Sequence, residues 1–520
     1  MTGPTRTTID AEVVVVGATA AGVCAAVAAA GAGAQTVLVG PETHVGGMTS
    51  GGLGYTDVGD IRVLGGPAAR LRAAVAEHYG VPVGRYAGPE PHVAEGILAR
   101  WLDDAGVTVL LGASVAAVEQ DPGTRAVRAV RTGSGIRISG AVWVDAGYEG
   151  DLLAAAGVPS SVGREDRSLH RERFAGRREP APGMHAMPPW VSPFCADPDG
   201  FEQGQVLTGI RDAPMAAVGS GDGGVMAYGY RVCMTTAGDR IPFPRPDCYD
   251  EADWELARRL FALWARQGIE PVAGRLLGLE PNLPNGKCDG NSLGPFSLNL
   301  LDGSSWDYPL AGPAGREDIR RRHLDHTAGF LWFLSNDPAV PVGVRREVSR
   351  WGLPADEFAD TGHLPHQLYV REARRMQGAH VLTEHDLLAG TRQPDVVALG
   401  SYHIDIREVQ RTWWWVYEHP RPVASVVTEG YLSVPVPVYD IPYRAIVPRE
   451  QDCPNLVVPV CVSASHVAFA SIRMEPQYQM LGHAAGLAAA LAARSGVSVQ
   501  RVDVATLQAD LRRTGQVLAV

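Results

Sequence analysis

Six residues near the start of the chain, Gly17-Ala18-Thr19-Ala20-Ala21-Gly22, have the spacing of a phosphate-binding turn. They follow the apolar run EVVVVG (12–17) and precede an alanine-rich stretch (18–30), so the turn would join a buried strand to a helix. Gly17 permits a tight turn, Gly22 lets the helix pack closely on the strand, and the helix start offers N–H groups to a pyrophosphate. Thr19 stands at the usual middle glycine, so a side chain must clear the phosphates. Other residues carry proton and charge chemistry. Ser463, Ser465 and His466 follow the last apolar strand run, at the sheet end where ligands collect. His466 is the expected general base, because imidazole titrates near neutral pH. Arg473 and Glu475 form a second cluster in which the guanidinium would clamp an anion. Tyr369, Arg371, Arg374 and Arg375 are expected on one helix, with 371 and 375 sharing a face. Tyr55 and Asp57 close a glycine-dense loop (44–57).

A parallel sheet must hold these groups. Strands are expected at 12–17, 36–39, 107–111, 113–118, 136–144 and 455–460, and helices at 18–30, 68–77, 92–105 and 476–494. The stretch 166–440 is richer in Pro, Trp and Arg and lacks clean periodicity; it reads as an inserted substrate or cap domain. The chain then divides into 1–165, 166–440 and 441–520, with the last segment returning to the first domain. Its 520 residues, 46% hydrophobic and 20% charged, suit two interleaved domains with a sizeable core. The net charge of -11 argues against a nucleic-acid partner. No run approaches the roughly 20 apolar residues of a membrane span, and the N-terminus has no apolar signal core. Cytoplasmic residence is the expectation. The seven cysteines form no CxxC pair, so no metal site or disulfide framework is suggested. Trp413, Trp414 and Trp415 read as core or domain-interface packing before they read as a stacking platform for a ligand.

Further motifs give the turn its context: HVGGMTSGGLGYTD (44–57), YEGDLLAAAG (148–157), PNGK (284–287), LYVREARRM (368–376) and SASHVAFASIRMEP (463–476). With the GATAAG turn, this set resembles the FAD-dependent oxidoreductase family, including members labelled xanthan-lyase-like, across essentially the whole chain. The resemblance implies an α/β fold with a Rossmann-type FAD-binding domain, glutathione-reductase-like, and an inserted α+β substrate or cap domain. It implies FAD as cofactor, bound by Gly17, Ala18, Thr19, Ala20, Ala21 and Gly22. The backbone of Val115 would face adenine, and Gly147 would lie where the chain passes the dinucleotide. Gly46, Gly47 and Met48 would approach the pyrophosphate and flavin. Glu475 and Gln477 open the small-residue helix, whose N-terminus would favour negative charge on the reduced ring. For Gly482 and Gly486 close helix packing is the favoured reading.

One position departs from that family. Gly40 stands where the second strand usually ends in a glutamate that binds the adenosine ribose. Glu42, two residues on, is the replacement candidate; losing the contact would cost roughly 0.5–1.5 kcal/mol. His44 and Cys461 carry atoms that could attach covalently to a flavin.

The expected function is a dehydrogenase or oxidase that passes a hydride from a small polar organic substrate to flavin N5, with His466, Ser465, Arg473, Arg371 and Tyr55 around the reacting centre. A single dinucleotide unit leaves open a flavin monooxygenase visited by NAD(P)H. Gly40 and Thr19 leave open a nonredox protein that keeps the fold.

Overall fold

A computed structural model describes residues 8–84, 88–183, 185–418 and 420–520; residues 1–7, part of the segment read above for a leader, lie outside them. The chain opens with β1 (Thr8–Val16), α1 (Ala20–Gly31) and β2 (Thr36–Val39), as the apolar runs dictate. Val13, Val14 and Val15 are wholly buried because β1 has a parallel neighbour on each side and helices over its faces. Then come α2 (Gly66–Tyr79), α3 (Pro91–Asp104), β3 (Thr108–Leu110), β4 (Val115–Gln120), β5 (Val127–Thr132) and β6 (Arg137–Asp145). The sheet order is β3-β2-β1-β6-β5-β4. Strands β3, β2, β1 and β6 are parallel, whereas β5 and β4 form an antiparallel meander on β6. Late in the chain the short strand Leu456–Val457 adds parallel to β6. The fold is α/β, with the Gly17–Gly22 turn starting at the carboxyl end of β1.

The long helix Glu475–Ser495 lies along α1. A Cβ on Gly482 would stand 2.1 Å from the Ala21 carbonyl oxygen, and one on Gly486 would stand 2.1 Å from that of Ala25. These two glycines, one helical turn apart, set the distance between the helices.

A second apolar cluster takes its buried residues from 187–353 together with Val426. Trp254 is its hub, stacked on Phe333 at 5.3 Å and on Phe330 at 6.1 Å. Leu382, Leu399 and Ile406 bury themselves in the main core instead. Trp413, Trp414 and Trp415 lie in the strand Gln410–Val416, paired with Val423–Glu429, and Trp413 meets Phe194 edge-on at 4.9 Å.

The segment 368–374 is not helical, contrary to the sequence expectation; it runs irregularly into a two-residue strand, Arg375–Met376, paired with Ser160–Ser161. Its arginines are drawn to separate places. Arg371 donates to the Ala227 carbonyl, Arg374 to that of Glu149, and Arg375 to Glu165 and the Ala464 carbonyl. One helical face could not serve these partners.

Candidate cofactor and substrate site

Gly17 has φ 102°, and a Cβ there would lie 2.5 Å from the Gly147 nitrogen. Only glycine can therefore bring the β1 turn against the end of β6. The Thr19 hydroxyl donates to the Ala146 carbonyl at 2.7 Å and accepts from the Gly22 N–H at 3.1 Å, capping α1. Its side chain is thus turned into the protein, and the clash with phosphates posed by the sequence does not arise. Ala18, Ala20 and Ala21 line the rest of the turn with methyl groups only, so the unpaired first-turn N–H groups of α1 define its chemistry.

The glycine loop returns over this turn. The Gly46 N–H donates to the Ala18 carbonyl at 2.7 Å. A Cβ on Gly47 would meet the Tyr148 hydroxyl at 2.5 Å, and the Met48 N–H donates to that hydroxyl at 2.9 Å. Tyr148 in turn donates to Glu475 Oε1 at 2.7 Å, while the Thr49 hydroxyl donates to Glu475 Oε2 at 2.9 Å. Burial pushes the Glu475 carboxyl up to about 7 against these two donors. Tyr148 and Glu475 therefore fasten the loop to the first turn of the long helix.

Glu42 folds back over Gly40. Its Oε2 is buried without a hydrogen-bond partner, and burial lifts the carboxyl to about 7. It lines a cavity of about 180 Å³ with Tyr148, Glu149, Arg320 and His366. Gln477, wholly buried in the first turn of the long helix, has both side-chain amide atoms unpartnered. Buried polar atoms normally find partners. An unmatched acid beyond β2 and an unmatched amide at a helix start fit the hydroxyl and ring heteroatoms of a bound FAD. Val115 is half-buried at the start of β4, and Gly147 has no protein atom closer than 3.6 Å to a Cβ position.

His44 is engaged at both ring nitrogens, by Glu95 at 2.9 Å and Asp360 at 3.0 Å, and stacks on His366 at 4.1 Å. Cys461 is buried beneath the Tyr148 carbonyl at 3.4 Å, and burial raises its thiol pKa far above the ordinary value. Neither side chain presents a free nucleophile in this arrangement.

The structure divides the proton-handling candidates into two adjoining groups. In the first, the Ser465 hydroxyl caps the helix His466–Ile472 and donates to Glu172 at 2.5 Å. His466 is wholly buried; its Nδ1 lies 2.8 and 2.9 Å from the two Glu372 oxygens, and its Nε2 has no partner. Arg375 pairs with both Glu372 and Glu165. In the second, Arg473 donates to the Tyr369 hydroxyl at 3.1 Å and to Asp405 at 3.1 Å. Arg371 lies over the Tyr369 ring at 4.3 Å. Burial, with the negative charges of Asp57 and Asp405 nearby, pushes the Tyr402 phenol well above its ordinary range. The Tyr55 N–H donates to Asp289, which itself pairs bidentately with Arg231 at 2.6 and 2.7 Å. Consecutive residues 371 and 372 thus join the two groups, Arg371 over Tyr369 and Glu372 on His466.

Sequence reasoning passed over Glu372 and Asp405, which organise the two groups. Glu372 lies 94 residues from His466 and Asp405 lies 68 from Arg473, so no local spacing announces these two pairs. The PNGK motif has a structural role: Lys287 Nζ pairs with Glu90 at 2.6 Å and with Asp356 and Glu357 at 2.8 Å. With His92 these three acids bring ligand atoms within 4.8 Å of one another, and the lysine ammonium supplies the cation.

A mixed sheet with a capped glycine turn, a folded-back acid and an unmatched amide defines a flavoprotein of the Rossmann class. The FAD dependent oxidoreductase family matches residues 12–511, and the chain belongs to it. No curated protein matches the chain. Among solved structures, the L-proline dehydrogenase from P. horikoshii is 17% identical over 30% of this chain and 59% of its own, with a TM-score of 0.23. The 3-ketosteroid-delta4-(5alpha)-dehydrogenase from Rhodococcus jostii RHA1 is 16% identical over 28% and 47%, at 0.20. A flavin monooxygenase from Stenotrophomonas maltophilia is 16% identical over 26% and 38%, at 0.20. The chain spans about half the length of these proteins, and likeness at this level carries no substrate across. Among the described residues no helix is long and apolar enough to cross a membrane.

Proposed function

We propose that the protein is a dehydrogenase or oxidase that takes a hydride from a C–H bond of a small polar organic substrate. FAD, when bound, supplies the hydride acceptor. Gly17, Ala18, Thr19, Ala20, Ala21 and Gly22 with Gly46, Gly47, Met48 and Gly147 would hold its pyrophosphate. Glu42 would bind its ribose, Val115 would pass its adenine, and Glu475 and Gln477 would meet its ring from the helix start. Arg473, Arg371 and Tyr55 would border the substrate.

The observation that carries this reading is the pairing of His466 with Glu372. A carboxylate facing Nδ1 favours the tautomer protonated there, which leaves Nε2 as the acceptor. A buried acceptor nitrogen with no protein partner is costly, and a substrate hydroxyl or amine would satisfy it. His466 is then the proton acceptor, and Ser465 and Glu372 are its positioning residues. His44, held at both nitrogens, positions the loop.

Anaerobic mixing of holoenzyme with alcohols, amines and hydroxy acids, read by flavin bleaching, tests the reading. His466→Asn should slow bleaching by roughly 10²–10⁴-fold while flavin stays bound. Bleaching by NAD(P)H alone, with every organic substrate inert, would instead favour a monooxygenase.

A further inference from the structure

Arg371 is 4% exposed, and among the described residues no carboxylate lies in ion-pair range of it. Its Nη1 donates to the Ala227 carbonyl, and its remaining nitrogens have no hydrogen-bond acceptor among those residues. Other buried arginines without an acid partner are better served. Arg178 gives its two terminal nitrogens to the Phe174 and Gly430 carbonyls, and Arg411 gives its own to those of Gly209 and Pro295. The neighbours of Arg371 sharpen the deficit. Arg407 and Arg473 oppose its charge, while Asp405 pairs with Arg473 and Glu408 lies against Arg407 and His185. Three guanidinium groups thus share two carboxylates. Burial and the two adjacent arginines pull Arg371 down to about 9, which still leaves it charged at neutral pH. A buried charge without a counter-ion is expensive, and among the described residues none is placed to complete this cluster.

We propose that the substrate carries a carboxylate and that Arg371, backed by Arg407, binds it across the Tyr369 ring. The proposal rests on the oxidoreductase reading above and adds the substrate class to it. A guanidinium fork matches a carboxylate with two parallel N–H donors, and Arg371 retains Nε and Nη2 for that purpose. Tyr369 holds the guanidinium plane through its ring and touches Arg473 through its hydroxyl. The oxidisable C–H bond would then lie close to this carboxylate, because the neighbouring residue, Glu372, positions His466.

The test titrates purified holoenzyme with benzoate and with pyruvate, each against its neutral amide, and reads both the flavin absorption spectrum and the thermal midpoint. The carboxylates should perturb the spectrum saturably and raise the midpoint, and the amides should do neither. Arg371→Gln should weaken carboxylate binding by at least about tenfold, and Arg371→Lys, which keeps the charge, should bind more tightly than the glutamine variant. Arg407→Gln supplies a second reading if Arg371→Gln fails to fold, with weakened carboxylate binding expected again. Equal binding of amide and carboxylate, or undiminished binding by the folded variants, overturns the proposal. A changed flavin reduction potential with unchanged carboxylate affinity overturns it too, by assigning Arg371 to the cofactor. Protein that binds no flavin would sink the oxidoreductase reading instead, while the midpoint shift would still report whether Arg371 holds an anion.

Discussion

The Glu42 carboxylate lies where a side chain on Gly40 would begin: a Cβ on Gly40 would stand 2.0 Å from Glu42 Oε2 and 3.1 Å from the Ala18 nitrogen. The two residues are a matched pair. The missing side chain at position 40 makes the room through which the Glu42 carboxylate returns toward the Gly17–Gly22 turn.

That relationship predicts that Gly40→Ala and Glu42→Gln weaken FAD to a similar degree, the first by displacing the carboxylate and the second by removing it. Each should lower affinity roughly three- to tenfold, the value of one net hydrogen bond. Equilibrium titration of apoprotein with FAD measures it. A Gly40→Ala protein that binds as tightly as the parent would break the pairing argument.

The α1 contact predicts a steep response at the long helix. Gly486→Val must push the helix off the Ala25 carbonyl and should cost at least about 1–3 kcal/mol, the range for overpacking a filled core. Gly31→Ala, at a position where a Cβ meets nothing within 4 Å, should leave stability near that of the parent. Denaturant unfolding of the two variants side by side checks the contrast.

Glu475 gives a pH prediction with a definite sign. Its folded value, about 7, lies above the ordinary glutamate value of 4.5 because burial opposes ionisation. The folded state then binds the proton more tightly than the unfolded chain, so stability falls as pH rises from about 4.5 through 7. Every tenfold difference in proton affinity between the two states is worth about 1.4 kcal/mol. Glu475→Gln removes this titration, so its thermal midpoint should fall less than that of the parent between pH 5 and pH 8. Equal falls would mean that Glu475 is already ionised at the lower pH.

Much of the frame was legible in the sequence. Buried parallel strands need continuous apolar runs, so 12–17 and 36–39 announced β1 and β2, and Gly482 and Gly486 read as packing glycines. The polar interior was less legible. Arg371, Arg374 and Arg375 have helical spacing, yet their partners lie on three different segments and pull the chain out of a helix. Thr19 read as an obstacle because its sequence context does not reveal the Ala146 carbonyl 127 residues away that turns its hydroxyl inward. Likewise His466 stood out as a base, but the Glu372 that orients it is 94 residues distant.

Whether these residues bind FAD is read most directly from the absorption spectrum of the purified protein before and after acid precipitation. The native protein should show the near-ultraviolet and blue bands of oxidised flavin, with the colour released into the supernatant because His44 and Cys461 present no free nucleophile. Colour retained in the pellet would contradict the noncovalent site described here. A spectrum without flavin bands, even after incubation with FAD, would contradict the oxidoreductase assignment itself.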